Sequence, residues 1–154
     1  EDSYKKILEE KIIKNYNVNI SEPTKVINKC LSNYGHKANL RNNAIFLSSD
    51  VVGMEIFDYA FVVNSKDLDV KKLYVANATI SQKIYFSAMT KKSEKIIKKL
   101  VQDYESSLIG FEEYLEKENN VDFLEFLYLG NIPLDIAKVV DSNLVINAIF
   151  EEYV

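Results

Sequence analysis

Apolar residues recur at helical spacing along the start of the chain. Tyr4, Ile7, Leu8, Ile12, Ile13 and Tyr16 share one stripe, which predicts an amphipathic helix over 4–16 capped by Asp2 or Ser3. A second stripe, Val26, Ile27, Cys30, Leu31 and Tyr34, predicts a helix over 22–34. Ser21 is its N-cap, Pro23 lies in its first turn, and Gly35 is expected to stop it as a left-handed residue. From Ala44 the period shortens to two. A short strand is expected over 44–47. A central strand, apolar on both faces, is expected over 54–63 (MEIFDYAFVV). Residues 64–67 read as a turn. Further strands are expected over 73–78 and 80–88, although Leu73, Ala76, Ile80 and Ile84 also fit a helical period.

The helical period returns over 91–117. Ile96, Ile97, Leu100, Val101, Tyr104, Leu108, Phe111 and Leu115 form one long stripe, with Thr90 as cap and Gly110 as a weak point. Short helical segments are expected over 121–129, closed by Gly130, over 134–140 after Pro133, and near 143–153. Strands segregated from helices predict an α+β fold: two N-terminal helices, a small, mainly antiparallel sheet of three or four strands, then a long helix and short C-terminal helices. The 154 residues and the absence of repeats or linkers predict a single globular domain over 1–154.

Composition narrows the function classes. The chain is 47% hydrophobic with four glycines and two prolines, so it can build a core without metal or disulfide. Its one cysteine, Cys30, is expected as a small buried hydrophobe. No run approaches the ~20 apolar residues of a membrane span, and no signal-peptide pattern opens the chain; a cytoplasmic location without a membrane partner is expected. The first residue is Glu1, which fits a processed chain or a piece of a longer one. Eighteen lysines stand against a single arginine, a bias typical of a low-GC genome.

Catalytic constellations do not emerge. With one His and one Cys no zinc site can be assembled, and His36 is expected as a polar loop residue. The glycines are isolated, so neither a dinucleotide fingerprint nor a P-loop can be drawn. Asp67 and Asp69 would share one side of an extended segment. Asp50, Glu55 and Asp58 surround the 54–63 strand, but Glu55 lacks the Glu-x-Lys lysine of restriction-type nucleases. Residues 132–143 have the pattern of a first helix of a helix-turn-helix, yet no basic residue follows Ser142 to read bases. No catalytic residue, metal site or cofactor is therefore assigned.

Charge is the informative feature. Residues 103–154 hold 12 acids and two bases, a net −10, while residues 1–102 hold 17 bases and 11 acids, a net +6. In a continuous helix over 91–117, Lys91, Lys92, Lys95, Lys98 and Lys99 crowd the start and Glu112, Glu113, Glu116 and Glu118 the end. Both ends then oppose the helix dipole, and broken local rules mark candidate functional sites. The bland alternative is neutralisation within the molecule, by Glu151 and Glu152 at one end and by Lys5, Lys6, Lys11 or Lys14 at the other. The expected function is a non-enzymatic macromolecule-binding module, of which a small acidic inhibitor or immunity-type protein is one form. It would dock on another protein through Glu112, Glu113, Glu116 and Glu118. The alternatives are a nucleic-acid-associated protein using Lys91, Lys95, Lys98 and Lys99, and a carboxylate-dependent metal enzyme. The oligomeric state stays open.

Overall fold

The computed structural model describes residues 2–15, 21–48, 59–117 and 123–141. The fold is α+β, as expected. The chain divides into two compact units, one of residues 17–47 and 70–130 and one of residues 1–16, 48–69 and 131–154.

The larger unit holds α2 (Glu22–Tyr34), α3 (Ala38–Asn43), β2 (Ile45–Leu47), β4 (Leu73–Asn77), α4 (Ala78–Met89), α5 (Glu94–Ser107), β5 (Ile109–Gly110), α6 (Phe111–Glu116) and β6 (Leu124–Tyr128). Its strands form one antiparallel sheet in the order β2-β6-β4-β5. Period-two alternation sorts the side chains. Ala76 and Leu127 join Leu31, Ile84, Val101, Tyr104 and Leu108 in the core under α2, α4 and α5. The alternate positions of β6 include Phe126, whose ring lies 6.1 Å from that of Phe111 in α6. Glu125 shares the register face of Leu127, so β6 carries a carboxylate towards the core.

The smaller unit holds α1 (Asp2–Glu10), β1 (Ile12–Ile13), β3 (Tyr59–Val63), β7 (Ile132–Pro133) and β8 (Ala137–Asp141). β1 pairs with β7 and β3 with β8, both antiparallel. Ile7 and Ile132 are buried.

Several elements depart from expectation for physical reasons. The first helix stops at Glu10 rather than running to Tyr16, because Lys11 turns left-handed (φ 58°) and the chain enters β1. α2 matches its prediction, and the Ser21 hydroxyl accepts from the Thr24 N–H. Gly35, however, is extended (φ −133°), not left-handed. Of the 54–63 strand, 59–63 is β3; 54–58 lies outside the described residues, and Val62 is half exposed. Residues 80–88 are helical. The Asn77 side chain accepts from the N–H groups of Thr79 and Ile80 at 3.0 and 3.3 Å and starts α4. The expected long helix breaks at Leu108: Ile109 and Gly110 pair with Val75 and Tyr74, and α6 begins afresh. Thr90 ends α4, and Ser93 caps α5. Residues 124–128 form a strand. Residues 134–136 form a single 3-10 turn before β8, which removes both the expected short helix and the helix-turn-helix pattern there. The helix expected near 143–153 lies outside the described residues.

Candidate functional site

Two buried polar clusters are the first places to look for chemistry. Arg41, the one arginine, is 5% exposed between the rings of Phe46 and Tyr104. Its Nη1 donates to Glu125 Oε1 at 2.6 Å and to the Tyr104 hydroxyl at 2.7 Å. Tyr104 in turn donates to Glu125 Oε1, and Ser81 Oγ donates more weakly to Oε2 at 3.4 Å. Burial pushes the Tyr104 phenol well above its ordinary pKa; the Glu125 charge adds to this and Arg41 opposes it. Tyr104 therefore stays a neutral donor. The Glu125 carboxylate, the Tyr104 hydroxyl and Arg41 Nη1 are committed to one another, Arg41 Nε is buried without a partner among the described residues, and Tyr104 is fully buried. The arrangement ties α3, α5 and β6 together and offers no nucleophile.

The second cluster joins the loop after α2 to the end of α5. The buried Glu105 carboxylate accepts from the backbone N–H groups of His36 at 2.5 and 2.8 Å and of Lys37 at 3.0 Å. Lys37 Nζ donates to the carbonyls of Glu105 and Leu108, both at 2.8 Å. An ammonium thus satisfies the carbonyl end of α5, where the dipole favours a cation. Gly35 is required for this close approach. A Cβ there would overlap the Glu105 carboxylate and lie 2.9 Å from Val101 Cγ1. The His36 side chain is exposed, as expected of a loop residue.

Among the described residues no three His, Cys, Asp or Glu side chains gather as metal ligands. Asp67 closes the 3-10 turn Ser65–Asp67, so it and Asp69 do not flank an extended segment. Asp50, Glu55 and Asp58 lie outside the described residues. Cys30 is buried, and burial raises its thiol pKa, which suits an inert core residue.

The charged surfaces look different once the helix break is known. Glu112 and Glu113 occupy the first turn of α6, the end that favours anions, and Glu113 pairs with Lys117 at 3.0 Å. Glu116 is the last residue of α6. All three are exposed, whereas Glu118 lies outside the described residues. At the other end, Lys91 and Lys92 follow the carbonyl end of α4, which favours cations. Only Lys95, Lys98 and Lys99 lie within α5, and Lys99 pairs with Asp103 at 2.9 Å. The dipole conflict that the sequence suggests is thus largely resolved.

What remains at the α4–α5 connection is apolar exposure. Phe86 is 63% exposed, Met89 51% and Ile96 47%. All three sit in the last turn of α4 or the first turn of α5, among the exposed Lys83, Lys91, Lys92, Lys95 and Lys98. The turn closes in Schellman fashion. Lys92 N–H donates to the Ser87 carbonyl at 2.9 Å and Lys91 N–H to that of Ala88 at 3.2 Å. Lys91 occupies the left-handed position (φ 53°) that normally takes glycine. Ile96 belongs to the stripe expected to be core, and Phe86 to a strand face, so sequence pattern alone conceals this patch. A parallel case stands on α6. Leu115, also on the expected stripe, is 65% exposed one turn beyond Glu112.

No protein-family model, curated protein or solved structure matches the chain. Among the described residues no helix is long and apolar enough to cross a membrane.

Proposed function

We propose that the chain is a non-enzymatic protein-binding module that docks through the α4–α5 hairpin end. The observation that carries this is the exposure of Phe86, Met89 and Ile96 at the α4–α5 connection, among five exposed lysines and one exposed acid, Glu94. Burying the exposed half of one such side chain on a partner gains about 1–1.5 kcal/mol, so the three together act as an anchor, while surrounding charge selects and steers the partner. The matching partner surface is apolar and acidic. Nucleic acid fits less well, because its backbone rewards the lysines and leaves the three apolar side chains unused.

A second face has its own support. The exposed Leu115 lies beside Glu112 and Glu116, so the acidic surface expected from the sequence carries an apolar anchor as well. It would meet a basic, partly apolar protein surface.

Proteins captured on the immobilised chain test the proposal, compared with Phe86→Ser/Met89→Ser and with Lys95→Glu/Lys98→Glu. Loss of the same protein with both variants supports it. Capture indifferent to the apolar variant refutes it, and capture that needs only the lysines and vanishes with nuclease transfers the site to nucleic acid.

A further inference from the structure

We infer that the α4–α5 hairpin end docks on α6 of a second copy of this chain, giving a head-to-tail association. The inference rests on the protein-docking reading above and names its partner. Each face presents exposed apolar surface with an excess of one sign of charge: Phe86, Met89 and Ile96 among five lysines and Glu94, and Leu115 among Glu112, Glu116 and the Glu113–Lys117 pair. Lys95, Lys98, Glu112 and Glu116 form no ion pair among the described residues, so each side brings uncommitted charge.

The two faces cannot meet within one molecule. Lys95 lies at the start of α5 and α6 begins beyond its far end. The 14 residues of α5 separate them by roughly 20 Å along a rigid helix at ~1.5 Å per residue. Faces at opposite ends of one rigid element do not satisfy each other within one molecule, whereas a second copy brings them together. Made twice between antiparallel copies, such a contact closes as a two-fold dimer; made once per pair, it propagates into a ring or a chain. The strained Lys91 fits this arrangement. Glycine would relax the turn but remove a charge from the docking end.

Sedimentation of the full chain, from micromolar to millimolar concentration and at low and high salt, tests the inference. The expected result is a mass that rises with concentration and falls back with salt. Lys95→Glu/Lys98→Glu and Glu112→Lys/Glu116→Lys should each weaken self-association about tenfold or more. Mixed in equal amounts, the two variants offer one native contact and one charge-reversed contact, both complementary, so the mixture should regain the concentration-dependent association that each variant alone loses. A wild-type chain that stays monomeric throughout, or a mixture that does not pair, overturns the inference. Amide spectra recorded in parallel with an unrelated acidic amphipathic peptide separate the two levels. Shifts at Phe86, Met89 and Ile96 in a monomeric protein overturn only the second copy as partner, whereas no shift sinks the docking reading too.

Discussion

Replacing Arg41 by methionine keeps an unbranched side chain and removes the chain's one guanidinium. In the native protein that group is 5% exposed and Glu125 15% exposed. After the change, the Glu125 carboxylate keeps only the Tyr104 and Ser81 hydroxyls as donors among the described residues. Breaking a buried ion pair from one side costs ~3–5 kcal/mol. The partial exposure of Glu125 places Arg41→Met near the lower end, at about 3 kcal/mol. A domain has a total stability of roughly 5–15 kcal/mol. At ~2–4 °C per kcal/mol for a chain of this length, the melting midpoint should fall by roughly 6–12 °C. Removing both charges is often close to neutral, but it also strips the fully buried Tyr104 hydroxyl of its partners at about 1–3 kcal/mol, so Arg41→Met/Glu125→Met should lose less than the sum of the two single variants without returning to wild type. Urea denaturation with an unchanged m-value reads both quantities. An Arg41→Met midpoint within about 0.5 kcal/mol of wild type, the range of ordinary surface substitutions, would refute the reasoning. So would a double variant whose loss equals the sum of the two single losses, since that means the groups are not coupled.

Three further outcomes follow from the same geometry. Gly35→Ala drives a Cβ into the Glu105 carboxylate and should cost about 1–3 kcal/mol; in a Glu105→Ala background the cost should shrink, as a double-mutant cycle by denaturation can measure. The raised Tyr104 pKa means that the unfolded chain releases that proton first. This contribution is therefore intact below about pH 10 and is lost above it, by up to ~1.4 kcal/mol per pH unit. Tyr104→Phe should flatten the alkaline slope of stability, and an unchanged slope would count against the burial argument. Lys91→Gly relieves a left-handed lysine and should raise stability by about 1 kcal/mol, while weakening whatever docks at the hairpin end.

Local signals were legible and non-local ones were not. Ser21, Pro23 and the Val26–Tyr34 stripe specify α2 within their own window, and α2 matches them. Residues 80–88 satisfy both periods, so the outcome turns on the Asn77 cap and on packing of Ala78, Ser81 and Ile84. The break at Leu108 leaves no mark on the stripe, which runs in register through Leu108, Phe111 and Leu115; the decisive event is pairing of Ile109 and Gly110 with a strand more than 30 residues away. Arg41 hides in a polar run, though a lone arginine among 18 lysines is a usable signal. Where lysine serves every exposed site, the retained arginine marks a position where a planar group lies over the Phe46 and Tyr104 rings and donates to a carboxylate and a phenol.

The informative failures are Ile96 and Leu115. Periodicity assigns both to one continuous core stripe, yet the fold leaves them outside at opposite ends of α5, beside uncommitted charge of opposite sign. Interior members of that stripe are buried (Ile97, Val101, Tyr104, Leu108) or partly buried (Leu100, Phe111). Among the described residues the stripe therefore extends beyond the core at both ends. A sequence pattern built for burial and left uncovered by its own fold points to burial elsewhere, and the two uncovered ends carry the charge that would bring them together.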